Sequence, residues 1–327
     1  MSKVFSSPQD PQPRNLAGLM QAWSSLRFAV HVAARGYVRH TPLAKGRAYL
    51  YAQHVDPYFA RYSLDFVAPT VFGSKVAGNT RDIVQREIYT FGVYDPHLTD
   101  WISRSLAPGD TFIDVGANIG YFTLLASKLV GDSGEVVAIE PSPRIFGFLQ
   151  RNLALNNATN VHTVNAAVSD SEGVVKLFRG FDENIGQTGI VESPYGTKME
   201  CECEVDALPL GEICPEKMRH ARLIKIDVQG AEWSVVAGMR PLFDSCPERL
   251  EIVIEVHPGI LALQGRRPDE LLRIFRDAGF FAYKLEKCGP WVRSRPADHV
   301  TKRPVQLRDS IQDETHIVFS RKDSDCL

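Results

Sequence analysis

The stretch Gly109-Asp110-Thr111-Phe112-Ile113-Asp114-Val115-Gly116-Ala117-Asn118-Ile119-Gly120-Tyr121-Phe122-Thr123-Leu124-Leu125-Ala126 decides the fold. A β-branched run ending in an acid, a tight turn of small residues and apolar residues at helical spacing read as a strand, a glycine loop and a helix. Gly116 and Gly120 admit backbone angles closed to other residues. The helix after them turns free N–H groups and the positive end of its dipole toward an anion. A dinucleotide fingerprint counted from Gly116 requires glycine at 118 and 121, where the chain has Asn118 and Tyr121, and no phosphate-loop G-x-x-x-x-G-K occurs. What remains is acid-x-Gly-x-Asn-x-Gly, a ligand-binding turn without a pyrophosphate signature.

A second strand, Glu135-Val136-Val137-Ala138-Ile139-Glu140, carries an acid at its tip. In a doubly wound sheet that acid is placed to hydrogen-bond a ribose, so the two turns describe a nucleoside with an anionic tail. S-adenosylmethionine fits better than a dinucleotide. Phe112 to Phe122, then Ala138-Ile139-Glu140-Pro141, then Leu223-Ile224-Lys225-Ile226-Asp227-Val228-Gln229-Gly230-Ala231-Glu232 together resemble the FkbM-type branch of the S-adenosylmethionine-dependent methyltransferases.

That resemblance implies an α/β, Rossmann-like class I methyltransferase fold, with a mostly parallel seven-stranded sheet, an antiparallel last strand and an N-terminal helical extension. It implies cofactor contacts from Asp114, Gly116, Ala117, Asn118, Gly120, Glu140, Asn165 and Ala166, with Asn165 standing where the family often has Asp. It also favours an active-site position for Asp227, which otherwise reads as a helix cap. Glu232 matches the pattern's later acid, or else stabilises a helix start. Gln229 replaces the family's common Glu, so no general-base role carries over to it, and Asp95 stands for a usual Glu.

The chain of 327 residues divides, on this reading, into a disordered lead (1–14), a mainly helical extension (15–106), a methyltransferase domain (107–322) and a tail (323–327). With 37 Lys and Arg against 39 Asp and Glu, no global basic field argues for nucleic acid. The cysteines at 201, 203, 214, 246, 288 and 326 form no C-x-x-C pair and are too sparse for a disulfide scaffold. Cys201 and Cys203 alternate as strand residues sharing a buried face do. No apolar run approaches the roughly 18 residues of a membrane span, and the polar start is unlike a signal peptide. A soluble, cytoplasmic enzyme with a small-molecule acceptor and no integral membrane segment is the expectation.

From Asn15, Leu16, Leu19, Met20, Trp23, Leu26 and Val30 recur at helical spacing beside Arg27, Arg35 and Arg39, a helix that either packs on the catalytic domain or meets a membrane or partner. The aromatics between Tyr49 and Val76 either pack that extension down or line a pocket. Residues 180–197 form a long Gly-, Asn- and Ser-containing insertion between two strands, a lid or a surface loop. Cys288 to Glu314 carries Trp291, Arg293, Arg295, Lys302, Arg303 and Arg308, either holding an anionic substrate or forming a solvated loop.

The strand Glu251 to His257 sets Glu255 and His257 on one side, its tip near Asp227. Methylating an alcohol requires removal of its proton, and His257 or Asp227 is the candidate base. Asp227, Glu255 and His257 alternatively hold a divalent cation; the reading favours no metal. The function expected is O-methylation of a hydroxyl on a sugar or natural product. The alternatives are N-methylation of an amine or protein side chain, and a non-catalytic S-adenosylmethionine-binding protein.

Overall fold

The computed structural model describes residues 14–41, 46–192, 196–285 and 303–327. The lead expected at 1–14, apart from Arg14, lies outside them, as do Trp291, Arg293, Arg295 and Lys302.

The chain begins with helix α1 (Arg14–His40), followed by α2 (Arg47–Leu50), a π turn at Tyr51–Val55 and α3 (Asp56–Arg61). An antiparallel hairpin not read from the sequence follows, β1 (Asp65–Pro69) and β2 (Lys75–Asn79), then α4 (Ile83–Phe91) and α5 (Pro96–Ser105). Asp82 caps α4 by accepting the Gln85 N–H, and Gly92 at φ 75° ends it. Asp95 caps α5 through the Leu98 N–H ahead of Pro96, which needs no N–H at that position. Two arginines of α1 supply charged donors to backbone carbonyls: Arg35 Nε to Tyr89 O at 2.9 Å and Arg39 Nη2 to Pro69 O at 2.8 Å. Their aromatic neighbours Tyr51, Phe59 and Phe66 are buried and serve packing.

The catalytic half alternates strand and helix: β3 (Thr111–Val115), α6 (Tyr121–Val130), β4 (Glu135–Ile139), α7 (Pro143–Leu155) and β5 (Val161–Val164). Next come β6 (Ala167–Val168), β7 (Gly173–Phe178), β8 (Cys201–Leu208), the short helices α8 (Leu210–Ile213) and α9 (Pro215–Met218), and β9 (Ala221–Ile226). The chain closes with α10 (Glu232–Met239), β10 (Glu251–Val256), α11 (Pro258–Leu263), α12 (Pro268–Asp277), β11 (Phe281–Lys284), β12 (Val305–Gln306) and β13 (Thr315–Ser320).

The main sheet runs β12-β11-β13-β10-β9-β3-β4-β5. Strands β5, β4, β3, β9 and β10 are parallel, and β13 inserts antiparallel between β10 and β11. Among the described residues the sheet has eight strands rather than seven, because Val305 and Gln306 pair with the edge of β11. Every residue of β3 is buried, as a central parallel strand covered on both faces requires. Alternation divides the core: Phe112, Val136, Ala138, Leu223 and Val253 face the side of α6 and α7, while Ile113, Val137, Ile139, Ile224 and Ile254 face the side of α10 and α12.

Two local features depart from simple strand patterning. The run Val161 to Val168 is not one strand: it breaks at Asn165–Ala166, and β6 leaves to join β8 and β7 in a separate three-stranded sheet. Within β8, Val205 and Ala207 are buried whereas Cys201 is exposed and Cys203 only partly covered, because the strand's first residues overrun the small core beneath it.

Candidate active site

The C-terminal ends of β3, β4, β9 and β10 open onto a cavity of about 320 Å³, within the size range of small-molecule sites. Its nucleoside end is built by the two turns. Gly116, at φ 80°, has no room for a side chain: a Cβ there would lie 1.9 Å from the Asp227 carbonyl oxygen. The loop thus approaches the β9 tip as closely as backbone allows, with Ala117 and Asn118 lining the cavity beside it. At the end of β4, Glu140 Oε2 accepts the Asn118 N–H at 2.9 Å and Oε1 accepts the Ser142 N–H at 3.0 Å. Each oxygen keeps a further lone pair for a ligand hydroxyl. Burial pushes this carboxyl up to about 7 despite those two N–H donors. Ile139, Ile145, Ala166 and Val168 complete an apolar slot around it, so the residues present fit an adenosyl group.

Three residues expected to touch the cofactor stand outside the cavity wall. Asp114 is fully buried beneath it, its Oδ2 accepting the Thr123 hydroxyl at 2.7 Å and its Oδ1 facing Lys225 Nζ at 3.1 Å. The Asp114 side chain points into the core, while Val115 at the end of β3 and the loop after it line the cavity. Gly120 is required instead by α7, since a Cβ would lie 2.7 Å from Leu149 Cδ1. Asn165 donates both amide hydrogens to the backbone, to Glu140 O at 2.8 Å and Pro141 O at 2.9 Å, and so pins the turn that carries Glu140.

At the other end, Asp227, Gln229, Glu255, His257 and Glu314 meet. His257 lies between two carboxylates, Nε2 at 3.2 Å from Glu255 and Nδ1 at 3.4 Å from Glu314. Burial opposes charge on the imidazole, yet the hydrogen bond and charge of Glu255, with Glu314 and Glu232, push it up to about 9. That favours the protonated ring at neutral pH, which makes Asp227 the better-placed of the two candidate bases. Glu255, His257 and Glu314 present ligand atoms within 4.8 Å of one another, but the carboxylates sit at opposite ring nitrogens, which suits a clamped imidazolium better than a shared cation.

Burial works against the Asp227 carboxylate, but Lys225, His316, a hydrogen bond with Glu255 and His257 together hold it below the usual carboxylate range. Lys225 Nζ lies 3.6 Å from it and also donates to Gly116 O at 3.3 Å. Burial and the Asp227 charge raise Glu255 in turn, so of the two carboxyls Glu255 is the readier to take up a proton. Glu232 does not reach the cavity. Its Oε1 accepts the Gly230 N–H at 3.1 Å at the start of α10, Oε2 has no partner among the described residues, and burial raises it to about 7.

Sequence reasoning missed Lys225, Glu314, and the contributions of Ile83, Val84, Glu87 and Tyr94 from the extension. The insertion is part of the site: Asn184 to Ile190 line the cavity, held by Ile185 N–H to Asp82 Oδ2 and Ile83 N–H to Glu183 O, both 2.8 Å.

Residues 114–282 match the Methyltransferase FkbM domain. The chain is 30% identical to 31-O-demethyl-FK506 methyltransferase FkbM of Streptomyces tacrolimicus, over 60% of this chain and 80% of that protein. It is 26% identical to methyltransferase sdnD of Sordaria araneosa, over 60% of this chain and 81% of that protein, and 24% identical to methyltransferase 1 of Beauveria bassiana, over 52% and 72%. Among solved structures, Aeropyrum pernix fibrillarin with bound S-adenosyl-L-methionine aligns at 13% identity and a TM-score of 0.35, covering 66% of this chain and 68% of that one. With the domain match spanning the glycine loop, the Glu140 turn and the Asp227 and His257 tips, the chain belongs to the FkbM family of methyltransferases, and its cofactor is S-adenosylmethionine.

Proposed function

We propose that this enzyme methylates a hydroxyl oxygen of a small natural product or sugar. The observation that carries the reading is Asp227, an ionised carboxylate kept so by Lys225 at the acceptor end of the cavity. A hydroxyl needs its proton removed during or near transfer, whereas an amine can lose its proton before binding. The Streptomyces tacrolimicus relative is named for an acceptor lacking an O-methyl group, which supports the same reading.

When bound, S-adenosylmethionine supplies a methyl group that already carries its leaving group, so the protein's work is alignment, exclusion of water and proton handling. Glu140 and Asn118 hold the nucleoside side. Asp227 takes the acceptor proton. Glu255 connects Asp227 to His257, and Glu314, about half exposed, connects His257 to solvent, giving the proton a path out. The strap from Asn184 to Ile190 covers the acceptor.

The test is methyl transfer to a panel of sugar and polyketide-like alcohols and their matched amines, with the methylated atom located by mass spectrometry. Oxygen methylation that falls by roughly 10²–10⁴ in Asp227→Asn is expected. Methylation confined to the amines, indifferent to that substitution, overturns the reading.

A further inference from the structure

Among the described residues five carboxyl groups line the cavity, and four are engaged. Glu140 accepts two backbone N–H groups, Asp227 faces Lys225, and Glu255 and Glu314 flank His257. Glu87 differs: among the described residues no hydrogen bond or ion pair reaches its carboxyl. It stands on one face of α4 with Ile83 and Val84, four and three residues before it, all turned to the cavity. The adjacent cation is not available to it. Arg86 is committed to Asp56 at 2.6 Å and to the carbonyls of Thr80 and Arg81, both at 2.8 Å.

The groups facing Glu87 are otherwise acidic or phenolic: Asp95 from the α5 cap, Asp56 from α3, Asp82 from the α4 cap, Tyr51 from the π turn and Tyr94. Burial, then Asp95 and Asp56, pushes Glu87 up to about 8. A partly buried carboxyl surrounded by like charge and left without a partner lacks a cation. S-adenosylmethionine carries one in its amino-acid tail, and among the described residues every other carboxyl of the cavity wall has a protein partner.

We propose that Glu87 receives the α-ammonium of the cofactor's amino-acid tail, so that the N-terminal extension, outside residues 114–282, completes the cofactor site, a step that rests on S-adenosylmethionine being the cofactor. Binding then ionises Glu87 and releases its proton at neutral pH. Glu87→Gln cannot ionise: it offers the ammonium an acceptor oxygen but no opposite charge.

Calorimetric titration of the full chain tests this with S-adenosylhomocysteine, which has the ammonium, and 5′-methylthioadenosine, which lacks the amino-acid tail. Titrations at pH 7 in phosphate and in Tris, whose ionisation heats differ, count the protons released. Glu87→Gln is expected to weaken S-adenosylhomocysteine roughly tenfold or more, leave methylthioadenosine unchanged and abolish the release. Equal weakening of both ligands, unchanged affinity, or release that survives in the variant overturns the proposal. Where Glu87→Gln does not fold, Glu87→Asp, which keeps the charge on a shorter stem, is expected to retain the release with reduced affinity; loss of the release there overturns it equally. Failure of both ligands to bind the wild-type chain removes the cofactor and this role with it, whereas binding of both without discrimination by Glu87→Gln removes only the role.

Discussion

The ammonium of Lys225 lies 3.1 Å from Asp114 Oδ1, with Asp114 wholly enclosed and Lys225 only 3% exposed. Charges this deep are held by one another. Asp114 and Asp227 outweigh the burial that opposes charge on Lys225 and raise its affinity for a proton. Removing one partner of such a pair leaves the other uncompensated, at a typical cost of about 3–5 kcal/mol. Lys225→Met is expected to lose that much in urea unfolding and to raise the Asp227 carboxyl, with Asp114→Asn in the same chain restoring part of the stability. A loss under about 1 kcal/mol shows that the pair is not structural.

The two glycines of the loop are expected to fail differently. Both adopt positive φ, 80° and 91°, which costs any L-residue roughly 1–2 kcal/mol. A Cβ on Gly116 also meets the Asp227 carbonyl at 1.9 Å, and backbone of two adjacent strand ends cannot yield without opening the sheet. On Gly120 it meets only the tip of Leu149 at 2.7 Å, a side chain that can turn. Gly116→Ala is therefore expected to abolish binding of S-adenosylhomocysteine, and Gly120→Ala to lower the melting temperature while retaining binding. Equal affinities in the two variants contradict the assigned difference.

The sequence made the sheet and the nucleoside end legible because both are local. The β-branched runs, the glycine loop and the acid ending β4 announce themselves within a few residues, and the antiparallel strand between β10 and β11 follows from the resemblance. The proton-handling end was only half legible. Asp227 and His257 were visible as polar residues at strand tips, and so was Glu255, which does most to charge His257, but the further contribution of Glu314 comes from 57 positions away through a contact that no spacing encodes. Lys225 read as strand interior, and Asp114 as a cofactor ligand, because the sequence cannot say that the two point toward each other. Glu87 and the strap reach the cavity through long-range packing alone.

His257 gives a pH dependence of definite sign. Its folded value, about 9, lies above the ordinary 6.5, so its stabilising contribution is complete below pH 6.5 and is lost as pH rises through about 9. In nuclear magnetic resonance titrations its ring protons are expected to shift with a midpoint near 9, and Glu314→Gln to move that midpoint down. Between pH 6.5 and 9 the stability of the wild type is expected to fall more steeply than that of His257→Gln. A midpoint near 6.5 in the folded enzyme restores the imidazole as a base at neutral pH.

Asp82 divides its two oxygens between its own helix and a residue 103 positions on: Oδ1 accepts Gln85 N–H to cap α4, and Oδ2 accepts Ile185 N–H to fasten the strap, both at 2.8 Å. Asn offers a single acceptor oxygen, so it serves one of these amides and turns an N–H toward the other. The local bond to Gln85 is the cheaper to keep, since it needs no ordering of the insertion. Asp82→Asn is accordingly expected to retain α4 while exposing the Ile185 amide to hydrogen exchange and raising the acceptor KM; Asp82→Ala adds the loss of the cap, about 1 kcal/mol. Because the strap is also fastened by the Ile83 N–H to Glu183 bond and by the Arg81 ion pairs to Asp182 and Glu183, protection at Ile185 unchanged in Asp82→Asn means that these contacts and the apolar packing of Ile185, not Asp82, hold it down.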